Sequence, residues 1–177
     1  MRVVLWPAVV LIAAGAIGLY GWRVAPARMT VRIVPRGGEP FGPDAADAKR
    51  QVSCGGQFQL GLRPSRDAYA LVYLINTGGV AQELWPPIGE PWPRLAAGQT
   101  ALVPGAANWF QLGSRPGNGA VIVAWARKPM LARRSVWIQI CRTLESGTEP
   151  TERRVEAVRR LVADIADGTV IVPFEQQ

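Results

Sequence analysis

The longest unbroken apolar pattern in the chain spans residues 3–22 (VVLWPAVVLIAAGAIGLYGW), 20 residues without a charge. At 1.5 Å rise per residue this length matches the roughly 30 Å hydrocarbon core of a bilayer, which predicts a spanning helix. Trp6, Tyr20 and Trp22 fall near its two ends, where amphipathic rings suit the headgroup level. Pro7 lies in the first turns, where a missing N–H is tolerated. The rival reading is a cleaved signal peptide, since Ala25-Pro26-Ala27 imitates a small-x-small cleavage site. Against it, proline beside the cut is a poor substrate feature, and the apolar core exceeds the roughly 7–15 residues of a signal h-region. No cysteine closes the run, so lipid attachment there is excluded. The expected element is an uncleaved anchor over residues 1–24.

Beyond the anchor the period changes. Residues 25–51 read as a connector, with one β-like run at 29–34 (MTVRIV) followed by a stretch rich in Gly, Pro and charge. From residue 57 to about 128, short apolar runs alternate with Gly, Pro and Asn: Phe58, Leu60 and Leu62, then 69–75 (YALVYLI), 80–85, 100–103, 109–112 and 119–125 (GAVIVAW). Runs of 4–8 residues at about ten-residue spacing predict an antiparallel all-β domain, a sandwich or a barrel, over residues 52–143. Asn76-Thr77-Gly78-Gly79 predicts a hairpin connection, with glycine supplying positive φ. Pro86, Pro87, Pro91 and Pro93 predict one extended loop.

Residues 144–177 return to a helical period. Pro150 is a fitting start and Gly168 a fitting stop, while Val155, Val158, Leu161, Val162 and Ile165 recur at three and four. This predicts an amphipathic helix docked on the β-domain. Residues 131–144 are ambiguous, because Val136, Ile138 and Ile140 alternate while Val136, Trp137, Ile140 and Cys141 also form a helical stripe.

Composition narrows the chemistry. The chain has no histidine, which removes Ser-His-Asp triads, Cys-His dyads and His-based zinc helices. The two cysteines cannot build an ordinary structural zinc site, so no metal and no cofactor is expected. Cys54 and Cys141 are a candidate disulfide, worth up to about 4 kcal/mol in the loop-entropy model, or two buried thiols. A histidine-free hydrolase would need Asp67, Glu83 or Glu90 in a cleft, and nothing in the sequence faces these carboxylates toward each other. No catalytic residue is assigned.

Charge is uneven. Between residues 48 and 143 there are eleven cations against three acids, while 144–167 carries four against six. A domain this basic attracts anionic headgroups, envelope polyanions or nucleic acid. Only Arg127, Lys128, Arg133 and Arg134 cluster, and they lack interleaved aromatics, so nucleic acid is not the expected partner. Trp85, Trp92 and Trp109 border proline-rich loops. The favoured role for them is core area, and the sharper alternative is a stacking surface for a glycan or peptide.

The most informative stretch is 67–129. It contains a Tyr-bearing run from Tyr69 to Asn76, then Gly78-Gly79-Val80, Leu84-Trp85-Pro86 and Leu95-Ala96-Ala97-Gly98. Leu102-Val103-Pro104, Trp109-Phe110, Pro116-Gly117 and a final run from Gly119 to Pro129 complete the order. This ordered set resembles the bacterial domain-of-unknown-function family 4384, with Pro87 standing where that family usually has Asn. The resemblance implies a β-module of the kind attached to membrane spans, protein kinases, caspase-like proteases or anti-sigma-like proteins.

Arg2 precedes the apolar run, and Arg23, Arg28, Arg32 and Arg36 come after it. Strict positive-inside counting retains the main domain in the cytoplasm, whereas a two-residue tail before the span is that of a signal-anchor, which exports the domain behind it. Export is the adopted reading. The sequence therefore predicts a single-pass protein of the bacterial inner membrane with a periplasmic, non-catalytic interaction or sensing domain. Its expected partners are the membrane and an unknown protein or envelope polymer. A domain binding polyanions or lipid headgroups is the alternative.

Overall fold

A computed structural model describes residues 26–45, 50–87, 90–129, 153, 155–157, 159–160 and 166–177. Among these residues the chain is mainly β, in two sheets. The strands are β1 (Met29–Pro35), β2 (Gln51–Val52), β3 (Gln57–Pro64), β4 (Tyr69–Ile75), β5 (Ala81–Trp85), β6 (Ala101–Val103), β7 (Phe110–Gln111), β8 (Gly117–Ala126) and β9 (Gly168–Gln176). One sheet has the order β1-β3-β6, with β7 also on β3, and the other has the order β2-β9-β8-β4-β5. Every pairing is antiparallel except β2 with β9.

The two sheets share one core. Val31, Ile33, Phe58, Leu60, Leu62 and Val103 from the first face Val72, Leu74, Val121, Val123, Val172 and Phe174 from the second. In β1 this uses every second residue, so Met29, Val31 and Ile33 are buried while Thr30 and Arg32 are exposed. β4 and β8 do not alternate, because both their faces are covered. Their opposite face (Leu71, Tyr73, Ile75, Ile122, Ala124, Ala126) packs under Trp92 from the loop after β5 and under Val155. Burial on both sides explains the continuous apolar runs YALVYLI and GAVIVAW.

Two boundaries move from their expected places. The connector 25–51 contains β1, which pairs with β3 along its whole length, from Met29 opposite Pro64 to Pro35 opposite Phe58. The supposed tail after Gly168 is β9, the strand between β2 and β8. Pro173 sits within β9 because β2 reaches only Glu175 and Gln176, leaving the proline ring nitrogen no ladder bond to supply on that side. The helical period is present at Arg153, 155–157 and 159–160, with Glu156 and Arg160 paired at 3.0 Å one turn apart. Residues 3–22 and 131–144 lie outside the described residues. Among the described residues no helix is long and apolar enough to cross a membrane.

The β4–β5 connection is a hairpin, as its sequence predicts. Asn76 Oδ1 accepts the Gly78 N–H at 2.9 Å and the Val80 N–H at 3.0 Å, while Gly79 takes φ of 77°.

Candidate functional site

The three tryptophans proposed as a stacking surface are not brought together. Trp85 ends β5 in the core between the sheets, and Trp92 lies in the cluster on the far side of the second sheet. Trp109, just before β7, is half-buried beneath the Arg36 guanidinium, whose carbon stands 5.6 Å from the ring centroid. Trp85 and Trp92 thus take the core role favoured from the sequence, and the alternative, a stacking surface shared by all three, is not formed. Trp85 and Trp92 fill hydrophobic layers, since burying an indole yields more than exposing it.

Of the cationic group only Arg127 and Lys128 are among the described residues. Arg127 is tied to Asp167, whose Oδ2 accepts the Arg127 backbone N–H at 2.8 Å and its Nε–H at 3.2 Å. This contact pins the entry of β9 against the end of β8. Lys128 is exposed beside it, and Arg133 and Arg134 lie outside the described residues. Cys54 is half-buried and has no disulfide to any described residue; Cys141 lies outside them.

Of the carboxylates that an enzyme would need, Asp67 serves the fold. Asp67 occupies the crossover from β3 to β4. It pairs with the Arg94 guanidinium and accepts the Ala97 N–H at 2.8 Å, fastening the 94–97 segment to the corner. The Ala97 N–H first, and Arg94 second, hold its carboxyl below the ordinary 3.8. Glu83 is half-buried within β5, and Glu90 is exposed in the loop after it. A groove of about 730 Å³ runs between β1 and the 38–45 loop and is lined by none of these three. Among the described residues no three Cys, Asp or Glu gather as a metal-binding group.

The outer face of the β1-β3-β6 sheet is covered at Gln59 by the 105–108 turn and exposed at Arg28, Thr30, Arg32, Arg63 and Leu102. Register places Thr30 and Arg32 of β1 beside Arg63 and Gly61 of β3, and Gly61 beside Leu102 of β6. Arg28 continues the ladder: its carbonyl accepts the Ser65 N–H at 2.8 Å, and its own N–H donates to Ser65 Oγ at 2.8 Å. At the other end Arg36 donates to Gln57 Oε1 at 2.5 Å and lies over Trp109. Gln59, 3% exposed, is the anchor for the 105–108 turn: its Nε2 donates to the carbonyls of Gly105 at 2.7 Å and Asn108 at 2.8 Å.

No protein-family model and no curated protein matches the chain.

Arg28, Arg32 and Arg36 fall in the stretch whose Gly, Pro and charge content predicts a connector, which hides the sheet face. A signal was there: positions 28, 30, 32, 34 and 36 are Arg, Thr, Arg, Val and Arg, while 29, 31 and 33 are apolar. That is the strand period, and it puts the arginines on one side.

Proposed function

We propose that this chain is a membrane-anchored, non-catalytic interaction or sensing module of the bacterial cell envelope, with a two-sheet β-sandwich held outside the cytoplasmic membrane. The supporting observation is the asymmetry of the two layers. In the second sheet the central strands β4 and β8 are buried on both faces, whereas the β1-β3-β6 sheet turns arginine-bearing positions to solvent. A molecule built this way has a surface for contact, and its best-placed carboxylate, Asp67, is committed to holding a loop. The apolar run 3–22 supplies the anchor in this reading. In this reading the ordered motifs of 67–129, which resemble family 4384, span β4 through β8.

Fractionation tests the anchor. Membranes containing the full chain are washed at alkaline pH, which strips peripheral proteins. Retention in the pellet is expected, together with release to the soluble fraction when residues 1–24 are deleted. Full-length chain recovered in the wash contradicts the proposal.

A further inference from the structure

The outer face of the β1-β3-β6 sheet carries Arg28, Arg32 and Arg36 at every fourth position along β1 and its ends, and Arg63 on β3 opposite Thr30. At about 3.3 Å per residue the first three spread over about 26 Å. Besides the arginines the register places Thr30, Val34, Gln57, Thr100, Leu102 and Gln111 on this face, with Gly61 and Gln59 buried, and none of these is acidic. The nearby acids are Glu39 and Asp44 of the 38–45 loop, which shares a groove with Thr30 and Arg32. None of the four arginines forms an ion pair with a carboxylate of the described residues. Two apolar groups accompany them: Leu102, 41% exposed, and the half-buried Trp109 under Arg36. Cations with a projecting leucine and an indole are the chemistry of a bilayer interface.

Chain length restricts where this face can go. Six residues, 23–28, separate the apolar run from Met29, and fully extended they reach at most about 20 Å. We propose that the outer face of the β1-β3-β6 sheet lies against the bilayer and binds its anionic phospholipid headgroups through Arg28, Arg32, Arg36 and Arg63. This rests on the reading of 3–22 as an anchor. Anchoring then fixes location, and the arginine face fixes posture, with the β4–β5 hairpin on the other sheet and so off the contacting face. The attraction is electrostatic, so it weakens with salt and with loss of anionic lipid. It holds on whichever side of the membrane the domain resides.

Two residues of equal exposure give an internal control. Leu102 (41%) is on the proposed face, and Val80 (42%) is in the β4–β5 hairpin. In full-length chain with Cys54→Ser and Cys141→Ser, Leu102→Cys and Val80→Cys are labelled with an impermeant maleimide. The chain is held in lipid nanodiscs of phosphatidylcholine alone or with 30% phosphatidylglycerol. At low salt the phosphatidylglycerol discs are expected to slow labelling of Leu102→Cys about tenfold and to leave Val80→Cys unchanged. Half-molar sodium chloride, or Arg32→Glu with Arg63→Glu, restores the rate. Equal labelling of Leu102→Cys in both lipids overturns the proposal, as does slowing that ignores salt and the arginine substitutions. Chain that fails to enter the discs refutes the anchor separately. In that case flotation with phosphatidylglycerol vesicles decides the face: arginine-dependent flotation supports it, and none overturns it.

Discussion

Asp67 and Arg127 illustrate how single polar residues bear on the fold at its corners. Each fixes a chain reversal by joining a backbone N–H to a charged side chain: Ala97 N–H to Asp67, and Arg127 N–H to Asp167. Because hydrogen bonding to the ionised form depresses the Asp67 pKa, its stabilisation is fully present above the unfolded value and is lost as pH falls through the folded one. Asp67→Asn is therefore expected to lower the urea midpoint at pH 7. The gap to the native chain should close as pH drops below the usual aspartate range, and a gap independent of pH would remove the carboxylate from this role. At this scale the sequence was legible in part. Asn76 and Gly79 announced their turn, because turn chemistry is local. The partners of Asp67 and Gln59 lie 27 to 49 positions away, and no local pattern encodes them.

At the scale of elements, short apolar runs closed by turn formers were the reliable signal. β3 through β8 stand close to where the apolar runs put them, since each run ends at a turn former. β1 alternates, but the Gly- and Pro-rich stretch behind it suggested a tether. β9 was hidden by Pro173 and by Gly168, which reads equally well as a helix stop. Its pairing can be tested at Gly119, directly opposite Phe174. A Cβ at Gly119 would stand within overlap distance of the Phe174 ring and 3.0 Å from the Ile75 carbonyl oxygen. Gly119→Ala is expected to destabilise the chain by about 1–3 kcal/mol, the usual range for overpacking. Gly113→Ala, with nothing within 4 Å, should be neutral. Phe174→Leu should recover part of the loss in a double mutant, and a fully additive pair would place the phenylalanine ring elsewhere.

For the whole molecule, composition motivates the proposed class of object, a binding module, and says nothing of its orientation. The lack of histidine and the surplus of arginine point to that class, and the adjacent Arg127 and Lys128 pointed away from the outer sheet face. Cations spread along one strand face are joined only by the register of β1 on β3, so their proximity is a tertiary fact. In the proposed function the apolar run carries this two-sheet domain outside the cytoplasm. The most direct measurement fuses alkaline phosphatase, active only after export, or green fluorescent protein, fluorescent only in the cytoplasm, beyond the exposed Gln177. Membrane-bound active phosphatase with a dark fluorescent fusion is the predicted result, and a bright fusion with inactive phosphatase would contradict it.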